Sequence, residues 1–205
     1  MQETPLRLDG INDSIYGGFG ERLGALLLDG LITIPLILFS QYLNSTEKDM
    51  FFYTVIPNLM FTIGYYVYLP KMYGGTPGKL IMGIKILKIN GAEIGWKEAF
   101  MRHLVVLLLT IFSSVLMIHA ILEADHTTFD DLSWFTQLEY LMSFSPLLFS
   151  IYSWLTNIWT WGELIVLLTN PRKRALHDYM AGTVIVKKMY IGRIQAKMAE
   201  TEWKQ

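Results

Sequence analysis

The sequence predicts an all-α integral membrane protein: a four-transmembrane-helix bundle with a small cytoplasmic β-hairpin and a C-terminal amphipathic helix. Three observations carry this. Of 205 residues, 52% are hydrophobic and 14% aromatic, which is the profile of an integral membrane chain rather than a soluble domain. Four apolar runs, at 23–43, 51–69, 104–122 and 144–169, approach the ~20 residues that a bilayer core requires. The segments between them differ in charge. Lys71, Lys79, Lys85, Lys88, Lys97 and Arg102 fall in 70–102, and eight more Lys or Arg follow Asn170. The 123–143 loop has no Lys or Arg and carries Glu123, Asp125, Asp130, Asp131 and Glu139, while 44–50 holds one Lys. Basic segments stay inside, so both termini and 70–102 are expected to be cytoplasmic, in a multi-pass protein of the bacterial inner membrane.

Each element has its own signal. The first twenty or so residues are polar and turn-rich with no apolar h-region, so the first span is expected to act as the targeting signal. That span carries Pro35, which leaves the Leu31 carbonyl without its helical partner. The second carries Pro57 and Asn58, yet its Leu, Ile and Phe content favours a span over a re-entrant loop. Residues 80–96 read as two short strands around Asn90-Gly91, a dipeptide suited to a type I′ turn, and TVIV at 183–186 is a third β-prone stretch available to pair with them. Residues 1–189 form the membrane domain, and 190–205 read as an amphipathic helix at the membrane surface or in the cytoplasm.

Asp29 and Glu163 are the carboxylates in the middle of apolar spans, where an acid costs roughly 2.5 to 3.5 kcal/mol on insertion scales. Counting 1.5 Å per residue from the inner helix ends places both roughly 9 to 10 Å deep, in one shell of the membrane. On the first span Arg22, Asp29, Thr33 and Ser40 share a face. The second span repeats the pattern with Thr54, Asn58, Thr62 and Tyr65, and the fourth with Ser150, Ser153, Thr156, Asn157, Thr160 and Glu163. The third is weaker, with His103, Thr110 and Ser114. Ser and Thr stripes also serve plain helix packing. If the Asp29 and Glu163 stripes face each other, the two acids would share a proton or a cation; Glu163 snorkelling inward, or simply hydrogen-bonding a neighbouring helix, fits as well. Asp29, Glu163, Asn157 and Thr33 are the candidate proton and cation ligands. Arg22 lies too far from Asp29 for a relaxed pair, and Asp178 is its natural partner; an ordinary positive-inside anchor is the alternative. His177 beside Asp178 is placed to respond to cytoplasmic protons.

Other motifs yield less. Gly74-Gly75-Thr76-Pro77-Gly78-Lys79-Leu80 lacks the spacing and the Ser or Thr after Lys of a phosphate loop, and reads as a rigid turn. No histidine and carboxylate spacing points to zinc, and no Ser/His/Asp nucleophile arrangement has support. The chain is therefore expected to be no enzyme and to need no metal or cofactor. A net charge of −1 gives no pull toward nucleic acid, and the absence of cysteine excludes disulfides.

Three blocks resemble the RDD family of membrane proteins, named for one arginine and two aspartates. GFGERLGALLLDGLI (18–32) supplies the arginine at Arg22 and the first aspartate at Asp29. GGTPGKLIMGIKI (74–86) is similar to the family's Gly-rich turn, and RALHDYMAGTVIV (174–186) to its C-terminal signature with Asp178 as the second aspartate. Glu163 lies outside these motifs. The resemblance implies a transport-related protein, with cation/proton antiport proposed within the family. Together with the residues it points to a small proton-coupled carrier of Na+ or K+ in which Arg22, Asp178 and His177 form an inner gate. Four helices are few for alternating access, so a homo-oligomer is expected. The competing reading is a non-transporting adaptor or assembly factor that uses the hairpin and basic tail.

Overall fold

The computed structural model describes residues 3–202, with side chains described through residue 200. It is mostly helical. In chain order it comprises α1 (Phe19–Thr46), α2 (Met50–Ile63), a π-helical turn (Gly64–Tyr68), α3 (Leu69–Tyr73), α4 (Pro77–Ile81), β1 (Ile84–Lys88) and α5 (Trp96–Glu123). Then come α6 (His126–Asp131), α7 (Trp134–Met142), α8 (Pro146–Thr169), α9 (Leu176–Ala181), β2 (Thr183–Lys187), a 3-10 turn (Lys188–Tyr190) and α10 (Ile191–Glu202). Among the described residues, three helical stretches are long and apolar enough to cross a membrane: Phe19–Thr46, Met50–Ile81 and Trp96–Glu123. The fourth expected span forms as one unbroken 24-residue helix, α8, but does not join those three. Its Asn157, Glu163 and polar stripe dilute the apolar content. Many Leu and Ile side chains of α1, α5 and α8 remain exposed, as helices facing lipid require.

The chain divides into two compact units. One draws on Met1–Ile32, Gly64–His103 and Trp161–Gln205, the other on Thr33–Ile63 and Leu104–Thr160.

In the second unit the polar stripes of α1 and α2 meet as the helical periodicity requires. Thr54 Oγ1 donates to Asn44 Oδ1 at 2.5 Å and Asn58 Nδ2 to Ser40 Oγ at 2.6 Å. Such bonds satisfy polar groups that lipid cannot. The 123–143 segment, expected as a loop, is folded into α6 and α7. Asp125 caps α6 by accepting from Thr128 N at 2.9 Å. The Thr127 hydroxyl and then the Thr128 N–H and hydroxyl hold the Asp125 pKa down to about 2. Ala120, Ile121, Ala124, Phe129 and Leu141 form the core beneath the two helices.

The first unit contains the sheet, and here the expected hairpin is corrected. β1 pairs antiparallel with β2, in the register Ile84↔Lys187 through Lys88↔Thr183, so TVIV is the principal partner. The segment after Asn90-Gly91 contributes only the bridge Leu87↔Glu93. A type I′ turn needs positive φ at both central residues. Here Gly91 alone has it, at +81°, within a three-residue loop closed by Lys88 N donating to Ala92 O. The extended N-terminal stretch lines the other edge of β2 through the bridge Tyr16↔Val186 and the bond from Gly17 N to Ile185 O at 3.0 Å.

Strand alternation gives the sheet two buried faces. Ile84, Ile86 and Ile185 pack with Ala25, Val67 and Ala99, residues of or beside the first three candidate spans. Leu87, Val184 and Val186 face the other way, onto Ile15, Tyr16, Ile194 and Met198. The apolar face of α10 is thus spent on the sheet, not on a lipid surface. Residues 203–205 of the expected tail lie outside the described residues. Ile194 is fully buried, so Ile194→Ala should lower unfolding stability in detergent by about 2–5 kcal/mol. Thermal unfolding checks this; loss of vesicle binding with unchanged stability would instead return α10 to the membrane surface.

Candidate functional site

The sequence-predicted Arg22–Asp178 pair forms at the centre of the first unit. The Asp178 side chain has no solvent exposure, and its Oδ2 lies 2.9 Å from Arg22 Nη1. It also receives Ala175 N at 3.0 Å, which makes it the third-position cap of α9. Its other oxygen binds Arg102 Nη1 and accepts from Thr183 Oγ1 at 3.1 Å. Arg102 Nη1 also reaches Thr183 Oγ1. Arg22 continues to Gly17 O through Nε at 3.1 Å and to Lys173 O through Nη2. Arg174, stacked 4.0 Å over the Tyr179 ring, donates to the carbonyls of Asp178 and Thr183. One carboxylate therefore joins α1, α5, α9 and β2. Burial alone would raise its pKa, but Arg102 and then Arg22 override burial and hold the group well below the usual carboxylate range.

His177 extends this cluster to Glu163. Its Nε2 lies 2.8 Å from Arg102 Nη2, which can only donate, so Nε2 accepts and the ring is neutral. The proton then sits on Nδ1, 2.6 Å from Glu163 Oε2, and His177 N donates to Glu163 Oε1 at 2.9 Å. Burial and then Arg102 push the His177 pKa below its ordinary value, against the opposing pull of Asp178 and Glu163. Glu163 is thereby an anchor for α9, neither free in lipid nor snorkelled to water.

Asp29 is 3% exposed and sits in a separate constellation of the same unit. Its Oδ1 accepts from Tyr65 Oη at 2.7 Å and Gly78 N at 2.7 Å, and its Oδ2 from Thr76 Oγ1 at 2.5 Å. The π-helical turn turns both Tyr65 and Val67 inward. The Gly-rich turn rests directly on α1: a Cβ at Gly78 would lie 2.3 Å from Ala25 O and 2.7 Å from Asp29 Oδ1. Lys79 Nζ lies 3.3 Å from Thr76 Oγ1, so an ammonium stands beside the hydroxyl that binds Asp29.

The bonds described give Asp29 and Glu163 different partners. Thr33 is buried and belongs to the other unit, as does Asn157, whose Nδ2 donates to Ser153 O on its own helix at 2.8 Å. The sequence reading missed Arg102, Thr183, Thr76 and Gly78 as site residues. A signal for Arg102 existed, since like Arg22 it is the last cation before a long apolar run.

Two outcomes follow from this geometry. Gly78→Ala should destabilise the protein by about 1–3 kcal/mol, because the Ala25 backbone cannot yield to the new methyl; a melting curve beside wild type measures it. His177 is held neutral when folded, so the unfolded chain takes up its proton first as pH falls below the ordinary value of 6.5. Stability should therefore drop on acidification below that value. The drop should be smaller in His177→Gln, which keeps a donor for Glu163 and an acceptor for Arg102.

Comparison with curated proteins finds no match, and comparison with solved structures finds none. The sequence model of the RDD family matches residues 16–182, which takes in Arg22, Asp29, the Gly-rich turn and Asp178. Arg102, Thr76 and Gly78 also lie within the matched region, Thr183 directly follows it, and the chain belongs to the RDD family.

Proposed function

We propose that this protein is a non-enzymatic transporter of the bacterial inner membrane that exchanges a small inorganic cation, Na+ or K+, for protons. In this reading α8 is a fourth span, both termini are cytoplasmic, and the working unit is a homo-oligomer embedded in lipid. The observation that carries it is Asp29: a carboxylate buried in an apolar helix and surrounded by the hydroxyls of Tyr65 and Thr76. Hard monovalent cations take oxygen ligands of this kind, and an intramembrane acid is a functional site by default. Lys79 stands close to Thr76 and supplies a tethered positive charge, which an arriving cation would displace. The Asp178 clamp, with Arg22, His177 and Glu163, acts as the inner gate.

Asp29→Asn tests this cleanly. Asparagine Oδ1 still accepts from Tyr65 and Gly78, and its amide donates to Thr76, so the turn stays seated. Purified protein in liposomes should lose pH-gradient-driven cation flux by more than about tenfold while its melting temperature moves little, since an uncharged site no longer balances a cation. Unchanged flux in this variant sinks the mechanism.

The adaptor reading is favoured by one observation: both aspartates are engaged in bonds that hold the fold. It requires wild-type protein to show no flux in the same vesicles.

A further inference from the structure

His103 follows Arg102 on α5, and Nε2 of His103 is the one buried side-chain nitrogen or oxygen among the described residues that lacks a hydrogen-bond partner. The residue is 7% exposed. An unmet polar group in a dry interior costs about 1–3 kcal/mol, and native interiors leave very few. An apolar residue here would avoid that cost. The ring lies flat on Tyr66, with centroids 5.1 Å apart and planes within 9°. Tyr66 in turn meets Tyr65 edge-on at 5.0 Å, and Tyr65 donates to Asp29. The charged and titratable groups around it are Arg102 on its own helix, His177 of α9, which acts on it through space, and Tyr66 with Asp29 behind it. No carboxylate among the described residues makes an ion pair with it.

Resting on the transport reading above, we propose that Nε2 of His103 is the proton-binding site of the exchange cycle and Asp29 the cation site. The neutral ring takes one proton on the Nε2 lone pair and becomes imidazolium; returning that proton restores it. Neither event breaks a described bond. An imidazolium on one side of Tyr66 and Tyr65 and a cation beside Asp29 on the other repel strongly in a low-dielectric interior. Occupancy of one site therefore disfavours the other, which is the coupling that antiport needs.

His103→Gln keeps a polar side chain of similar reach but cannot titrate. In liposomes, proton-driven sodium uptake by this variant should fall at least about tenfold and lose its dependence on acid pH, since burial disfavours the charged form of an imidazole. Sodium–sodium self-exchange should stay within about twofold of wild type, as a merely structural role would not predict. Wild-type uptake and pH profile in the variant overturn the proposal, as does joint loss of both fluxes and of thermal stability. Absence of flux from wild type overturns the transport reading instead. Histidine nitrogen NMR then decides the proton site alone. A resonance missing from His103→Gln that moves from imidazole to imidazolium between about pH 8 and 4 supports it, and one that stays neutral overturns it.

Discussion

The first unit depends on one buried carboxylate shared by two guanidinium groups. Asp178 carries a single negative charge, yet Arg22 and Arg102 both direct a nitrogen at it. Such an arrangement is poor as a source of net stability, because desolvating three ions consumes much of their attraction. Its strength is specificity. Wrong registers of α1, α5 or α9 would leave a charge buried and unpaired, so the clamp dictates which helix ends meet. Glu163 supplies the second negative charge through the neutral His177 ring, which brings the cluster nearer to balance.

Asp29 solves a different problem. It has no guanidinium among its described hydrogen-bond partners and is held by a tyrosine, a threonine and a backbone N–H. The Lys79 ammonium stands beside one of these donors, 3.3 Å from Thr76 Oγ1. The two aspartates are thus held differently although each is buried: Asp178 by two guanidinium groups, Asp29 by hydroxyls and a backbone N–H.

Much of this was legible in the chain. Apolar runs located the long helices, and the spacing of Thr54 and Asn58 anticipated the face that meets Ser40 and Asn44. Arg22 and Asp178 were paired because neither could be left alone. The sheet was misjudged for a physical reason. Asn90-Gly91 is a strong local turn signal, whereas β1 and β2 pair across about half of the chain, and local propensity carries no information about such distant partners. Helical periodicity placed Asp29 and Glu163 at one depth, but a shared depth does not fix a shared azimuth. The partners that separate them, Thr76 and His177, come from turns whose path no period describes.

The pairing of β1 with β2 also imposes an order on assembly. Ile84 emerges from the ribosome long before Lys187, its partner in the register. Until the last strand arrives, the apolar faces of β1 and the N-terminal stretch have nothing to cover them, and Arg102 lacks both Asp178 and Thr183. Insertion of the helices and completion of the sheet are thus separate events, with the second waiting on the final segment of chain. A protein cut short before Asp178 would have all its long helices yet leave Arg22 and Arg102 without their shared carboxylate, a state that is inserted but not folded.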